Sequence, residues 1–333
     1  MGILQRKAKM VANLAQNEKI HRSKYVWDDL DLRELDLELI ERKAKGTHLE
    51  VVMAKGLDEL YGRKNLCLKI FKNSKNIWGL KSAFGQSIIL ESTVVQNLMA
   101  MKGLAPRVYE LVRVNGETAQ VTDFIKGERT TDLIADPRFQ FQNSEVVKPY
   151  NQIGGKLVDF QGAIFKDFPA YKKSVVEKAK TKTSFPRSER QLYQSTEYHI
   201  AKRKTKDRLK RYKFPRFEGK TVLDIGCNLG MMMREAYDLG AKRVVGIDWP
   251  DEVKVSQEMA ILDGYFNLDF IGADIKKLKY EDIQKQSGIK KFNVHFFLAM
   301  EMWVGWPDWV KNCDTMYYEG HGKKRPFEVK DFS

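Results

Sequence analysis

No stretch of this 333-residue chain approaches the roughly 20 consecutive apolar residues that a membrane-spanning helix needs. Basic residues near the N-terminus are not followed by an apolar core, so no signal peptide is expected. Met1-Gly2 opens the chain as an N-myristoylation signal would, but position six is Arg6 rather than Ser or Thr. Cysteine is scarce. Cys67, Cys227 and Cys313 are far apart, odd in number and without metal-ligand spacing. Free thiols in a reducing compartment, and hence a cytoplasmic protein, are the expectation. Internal repeats and low-complexity tracts are also missing. What remains is ordinary for a globular chain long enough for two domains, with 31% charged and 43% hydrophobic residues.

Acidic charge is in deficit, with 44 Asp and Glu against 58 Lys and Arg. The net charge is +14, and most of the excess sits between Tyr171 and Lys220, where 17 basic residues face 5 acidic ones. Such a segment is either an electrostatic footprint for RNA or another polyanion, or a solvated connector helix. Tyr193, Tyr198, Tyr212, Phe214 and Phe217 interleave with the charges. They would stack on bases in the first case and anchor the segment onto the next domain in the second.

The pattern of apolar residues predicts four regions. Residues 1–46 are charged and expected to be helical, with Leu30, Leu32, Leu35, Leu37, Leu39 and Ile40 offering an apolar face. Residues 47–168 switch to short strands near His48–Met53, Asn65–Phe71, Arg107–Val114 and Ala119–Phe124, with a turn at Asn115-Gly116. A helix is expected over about Ser87–Met101, and an apolar strand and its exit over Lys156–Phe165. Residues 169–219 are the basic helical connector. Residues 220–333 alternate strands, near Thr221–Ile225, Arg243–Ile247, Leu268–Gly272, Phe292–Leu298 and Thr315–Tyr318, with helical stretches. Alternation of this kind predicts βαβ units and a parallel sheet.

The chemistry-bearing stretch is Thr221-Val222-Leu223-Asp224-Ile225-Gly226-Cys227-Asn228-Leu229-Gly230. It reads as a buried strand, a tight Gly turn and a helix start. Ligands bind at the carboxyl ends of parallel strands where the sheet order switches. Gly226 lets the backbone turn where a side chain would strike a ligand. The helix beginning near Leu229 offers free N–H groups to an anion. A dinucleotide site wants G-x-G-x-x-G for close approach to a pyrophosphate. Here Asn228 replaces the middle Gly, which weighs against that reading. Met231–Met233 read as helix core.

A second strand, Arg243–Ile247, ends in Asp248, and a third ends in Gly272-Ala273-Asp274-Ile275. Together, residues 219–248 resemble class I S-adenosylmethionine (SAM) dependent methyltransferases, in particular a subgroup with the signature GKxVLDxGCNxG. The resemblance implies SAM bound by Asp224, Gly226, Asn228, Gly230, Asp248, Asp274 and Ile275. Asp224 would face the ligand's ammonium and sulfonium end, and Asp248 its ribose hydroxyls. Asp274 would accept from the adenine amino group, with Ile275 beside the ring. Class I sheets normally add two strands after the fifth. The expectation here is a Rossmann-like α/β domain lacking both, with the fifth strand an exposed edge.

Methyl transfer to a hydroxyl or amine also needs a base. No Asn-Pro-Pro-Tyr-like motif and no Pro-Cys nucleophile follow the fourth strand, which disfavours DNA exocyclic amines and cytosine C5 as acceptors. Glu301, Glu319 and His321 lie at expected strand carboxyl ends and are the candidate bases. His295 falls inside a strand pattern and reads as a core histidine. The acceptor expected is a small molecule, glycan or RNA, through a sugar, nucleotide or RNA hydroxyl.

The front half carries a second resemblance. Leu66-Cys67-Leu68-Lys69 is similar to the third-strand lysine motif of protein-kinase-like folds, with Glu91 on the following helix as its ion-pair partner. Asn151 before Asp159-Phe160-Gln161-Gly162 resembles the catalytic-loop Asn and metal-binding Asp-Phe-Gly element. The resemblance implies an α+β kinase-like module holding Mg-ATP through Lys69, Glu91, Asn151 and Asp159, with Mg²⁺ on Asn151 and Asp159. It is a reduced one. Only Gly56 and Gly62 flank Lys69, and Val146 stands where the catalytic Asp would be. Two alternatives to a simple methyltransferase follow: a bifunctional kinase-like/methyltransferase enzyme acting on a small molecule or glycan, and a polyanion-binding protein that senses SAM.

Overall fold

The computed structural model describes residues 32–45, 49–72, 82–129, 136, 138–141, 151–160, 163–183, 191–196, 201, 204–321 and 326–333. The chain divides into two compact units, Met1–Lys172 and Lys173–Ser333. Most of the basic segment therefore belongs with the second unit. No helix among the described residues is long and apolar enough to cross a membrane.

The first unit is built on a five-stranded sheet in the order β1-β2-β3-β5-β4. Its strands are β1 (Leu39–Lys45), β2 (Leu49–Ala54), β3 (Leu66–Phe71), β4 (Val108–Val114) and β5 (Glu117–Asp123). Every neighbouring pair is antiparallel. A short helix α1 (Leu57–Tyr61) precedes β3, and α2 (Ser82–Ala100) joins β3 to β4. At the β4–β5 hairpin, Asn115 and Gly116 both have positive φ, 52° and 77°. Two such residues make the turn whose twist matches the flanking strands. Leu68, Val112, Ala119 and Val121 fill the core. Buried amides tie α2 to the sheet: Gln96 Nε2 donates to the Pro106 carbonyl, and Asn97 Oδ1 accepts the Val108 N–H.

The expectation of a helix up to residue 46 is corrected over its described part. Leu39–Lys45 is the fully exposed edge strand β1, not a helix. Its composition suits a helix locally, but pairing with β2 satisfies the backbone, and Leu35 is buried in the sheet's core instead. Residues 1–31 lie outside the described residues. Smaller elements complete the unit: β6 (Phe139–Phe141) pairs with β9 (Ala163–Phe165), and β7 (Gln152–Ile153) with β8 (Lys156–Leu157). Helix α3 (Phe168–Lys182) runs across the division between the units.

The second unit holds a six-stranded sheet in the order β12-β11-β10-β13-β14-β15. The strands are β10 (Thr221–Ile225), β11 (Arg243–Asp248), β12 (Leu268–Gly272), β13 (Val294–Leu298), β14 (Thr315–Glu319) and β15 (Phe327–Asp331). The first five are parallel and β15 is antiparallel. Alternate residues of each strand enter two cores, which is why these strands read as continuous apolar runs. On one face Val222, Val244, Phe296 and Tyr317 pack with Met232 and Met233 of α5 (Met231–Asp238), Ala260 of α6 (Pro250–Leu262), and Tyr212 of α4 (Thr205–Tyr212). On the other Leu223, Val245, Phe297 and Met316 pack with Ile283 of α7 (Tyr280–Ser287) and Trp309. The methionines of α5 are core, as expected.

β15 corrects a second expectation. The fifth strand is not an exposed edge, because β15 pairs along its whole length, with Tyr317 opposite Val329 and Glu319 opposite Phe327. Phe-Glu-Val-Lys-Asp mixes charge with apolar residues and is mostly exposed, the composition of an outer strand rather than a core one.

Tyr212, Phe214 and Phe217 are anchors. Tyr212 and Phe217 are buried, and the Phe214 ring lies parallel to Phe296 at 4.7 Å. Of the five aromatics interleaved with the basic charges, these three attach the segment to the sheet. Tyr198 lies outside the described residues.

Candidate active site

The chain runs from β10 out to β11 and β12, then returns to β13 on the other side of β10. The carboxyl ends of β10 and β13 therefore border the switch point, where a parallel sheet opens a crevice. The loop from β10 occupies it. Gly226 has φ 79°, and a Cβ there would collide with the Sδ and Cε of Met300, which lies against it. Gly230, at φ 72°, caps α5. Asn228 between them also adopts a left-handed φ of 48°, which Asn tolerates better than most residues. Its Nδ2 donates to the Thr183 carbonyl at 3.1 Å, and its carbonyl accepts the Ser256 hydroxyl at 2.6 Å. The Asn228 side chain thus ties the loop to the Thr183 backbone.

Asp224 is 2% exposed, and its Oδ2 has no hydrogen-bond partner. Burial pushes its carboxyl up to about 7, with Asp248 adding to the rise and Arg208 opposing it. A buried acceptor left unmatched costs stability and fits a cationic ligand group that would match it. Asp248 ends β11. Its Oδ2 accepts the Asn228 N–H and its Oδ1 the Trp249 N–H, both short enough to lock the carboxylate, at 2.8 and 2.9 Å. Asp274 Oδ1 accepts the Lys276 N–H at 3.1 Å and stays near the surface. Ile275 packs into the core with Ile271, Tyr280 and Ile283, so its side chain points away from open space.

At the end of β13, Ala299 has φ 61°, a strained value for a residue with a Cβ. Its N–H donates to the Glu319 carbonyl at 2.7 Å. The turn delivers Met300 to Gly226 and Glu301 to the neighbouring strand end, as the first residue of α8 (Glu301–Val304). Glu301 Oε2 accepts the Tyr318 hydroxyl, and its Oε1 accepts the His321 N–H at 3.4 Å. Burial, and then Glu301, push the Tyr318 hydroxyl up to about 12, so it remains a donor. The His321 ring meets Trp303 edge-on. Glu301 and His321 thus come together beside the Gly226 loop.

Glu319 does not join them as a base, and that expectation is corrected. It is fully buried, and Arg208 binds its Oε2 at 2.6 Å, Arg211 binds Oε1, and the Tyr212 hydroxyl donates to Oε2 at 2.8 Å. A fully buried carboxylate paired with two guanidiniums is out of reach of an acceptor's proton. The α4 residues were not among the expected site residues. Their signal is the spacing Arg208, Arg211, Tyr212, which places all three on one helix face. His295 is the core histidine expected: it is fully buried, its Nδ1 is 2.7 Å from the Val310 carbonyl, and burial lowers it to about 4.

In the first unit, Lys69 lies buried on β3, its Nζ 3.6 Å from Asp159 and donating to the Val158 carbonyl at 3.2 Å. The expected Lys69–Glu91 ion pair is corrected: Lys69 pairs with Asp159, and Glu91 Oε1 accepts the Phe165 N–H at 2.9 Å. The Asn151 carbonyl accepts the Val158 N–H at 2.9 Å. Among the described residues no group of three or more His, Cys, Asp or Glu converges to hold a metal ion.

No family model matches the chain, and no curated protein matches it. Solved structures resemble parts of it. An S-adenosylmethionine-dependent methyltransferase from Listeria monocytogenes is 20% identical, with 35% of this chain on 55% of that one at a TM-score of 0.29. One from Mesorhizobium loti is 17% identical, with 34% of this chain on 52% of that one at 0.27. WbdD bound to the kinase inhibitor LY294002 is 21% identical, with 41% of this chain on 36% of that one at 0.31. The chain thus spans about half, or less, of the length of these proteins. The Rossmann-like character of the second unit rests on its own sheet order and loop geometry.

Proposed function

We propose that the second unit is a SAM-dependent methyltransferase. The observation that carries this reading is the unmatched, buried Asp224 carboxylate at the switch point, beside a loop in which Gly226, Asn228 and Gly230 are all left-handed. Asp224 would hold the ligand's ammonium group, Asp248 a pair of hydroxyls, and the start of α5 a carboxylate. When bound, SAM supplies a methyl group on a sulfonium leaving group, ready for in-line displacement.

The chain's own work is then alignment and proton transfer. Glu301 accepts the proton leaving the acceptor, held in place by the Tyr318 hydroxyl and the His321 N–H. The Arg208–Glu319–Arg211 cluster fixes α4 to the end of β14, and Arg208 supplies the positive charge that partly offsets Asp224. The acceptor reading is a sugar, nucleotide or RNA hydroxyl. Incubation with methyl-labelled SAM and fractionated cell extract tests it: label enters one fraction with wild-type protein and none with Asp224→Ala. Label in no fraction, together with unchanged SAM binding by Asp224→Ala, would reject the assignment.

A second reading concerns the first unit. A five-stranded antiparallel sheet with a helix between β3 and β4, and a buried Lys69 facing Asp159, favours a reduced kinase-like module that binds a nucleotide. Calorimetric titration with ATP, with and without Mg²⁺, tests it. Binding lost in Lys69→Met supports it, and no heat from the wild-type chain rejects it.

A further inference from the structure

Three aromatic rings meet at the carboxyl ends of β13 and β14. Phe297 and Trp306 have centroids 5.1 Å apart, Trp306 and Tyr318 5.2 Å, and Phe297 and Tyr318 6.3 Å. Phe297 and Tyr318 are buried and form a floor, while Trp306 is 44% exposed and forms a wall. A cation already lies against them. The Lys330 Nζ, from the outermost strand β15, is 4.8 Å from the Tyr318 ring centre and 5.4 Å from that of Trp306. Ring faces carry negative charge, and two faces sharing one ammonium select for a cation over a neutral group of the same size. Carboxylates reinforce this. Glu328 pairs with Lys330 at 3.2 Å, and Glu301 accepts the Tyr318 hydroxyl at the rim.

The cradle also connects to the Asp224–Gly230 loop through Glu301, which accepts the Tyr318 hydroxyl. Glu301 follows Met300, and Met300 rests on Gly226 of the donor loop. Lys330 holds its place by side-chain contacts, so it can swing away without breaking the β14–β15 ladder, in which it pairs with Met316 through the backbone.

We propose that Trp306 and Tyr318, backed by Phe297 and edged by Glu301, form the subsite for an alkylammonium group on the methyl acceptor, and that the Lys330 ammonium holds the place this group takes. The proposal rests on the methyltransferase reading of the second unit and narrows the acceptor to a molecule bearing a cationic amine. Removing Lys330 frees the rings for an external cation. Removing Trp306 takes away the wall and leaves the buried floor packed.

Calorimetric titration of the full chain tests this with choline as the cation and 3,3-dimethylbutan-1-ol as its neutral isostere. Lys330→Ala is expected to bind choline about tenfold more tightly than wild type, and to bind the isostere at least about tenfold more weakly than choline. Trp306→Ala is expected to lose choline binding. S-adenosylhomocysteine, titrated in parallel, is expected to bind wild type and both variants within about twofold, which also shows that they are folded. Equal binding of choline and isostere, no tightening in Lys330→Ala, or unchanged binding in Trp306→Ala would overturn the proposal. Choline binding as expected without S-adenosylhomocysteine binding would leave a cation site but refute its role as an acceptor subsite. S-adenosylhomocysteine binding without choline binding would refute the cradle and leave the methyltransferase reading intact.

Discussion

Replacing Asp224 by Asn should make this protein more stable, and more so at pH 8 than at pH 5. Burial raises the Asp224 carboxyl from 3.8 to about 7, so the folded chain favours the protonated form. A raised acid contributes its stability below the unfolded value and loses it as pH rises toward and past the folded one. By linkage, the stability lost to Asp224 is about 2 kcal/mol at pH 5 and about 4 kcal/mol at pH 8. The amide is nearly the same shape and does not titrate. Any fixed cost of the substitution cancels in the difference between the two pH values, on the order of 2 kcal/mol. Urea unfolding followed by circular dichroism at pH 5 and pH 8 measures it. A gain that is equal at both pH values would refute the claim that Asp224 is a buried, unmatched acid. The cost makes sense if function needs the charge, since sites are where stability is given up for binding.

Other outcomes follow from the same geometry. Arg208→Ala leaves Glu319 buried with one guanidinium fewer, and should lower unfolding free energy by about 3 kcal/mol, with Glu319→Gln in the same background recovering part of it. Glu301→Gln should slow labelled methyl transfer about 100-fold while leaving S-adenosylhomocysteine affinity unchanged, because Glu301 touches the acceptor side only. A fall in affinity equal to the fall in rate would place Glu301 at the donor instead.

What the sequence made legible was local. Strands β10 to β14 are buried on both faces and flanked by helices, so continuous apolar runs mark them within a residue or two of their bounds. The Asp224–Gly230 loop and Asp248 could be read together because one strand-turn-helix and the next strand end bring them side by side. β15 escaped notice because an outer strand gains its structure from pairing and carries little apolar signal of its own. β1 was hidden for a similar reason, under a helix-prone composition. The Glu319 cluster joins residues 107 to 111 positions apart, and nothing local announces that two arginines of α4 close over a strand-end carboxylate. In the first unit, Lys69 was legible as a buried strand lysine, but its partner depended on where a distant segment places Asp159.

Donor binding as a function of pH tests the central claim most directly. The ligand's ammonium needs an ionised Asp224, whose carboxyl sits at about 7 before it binds. Calorimetric titration of S-adenosylhomocysteine should therefore give affinity about tenfold tighter at pH 8 than at pH 6, following the ionised fraction. Asp224→Asn should bind at least about tenfold more weakly and with no pH dependence. Affinity that is flat between pH 6 and pH 8 in the wild-type chain, or unchanged in Asp224→Asn, would contradict the account.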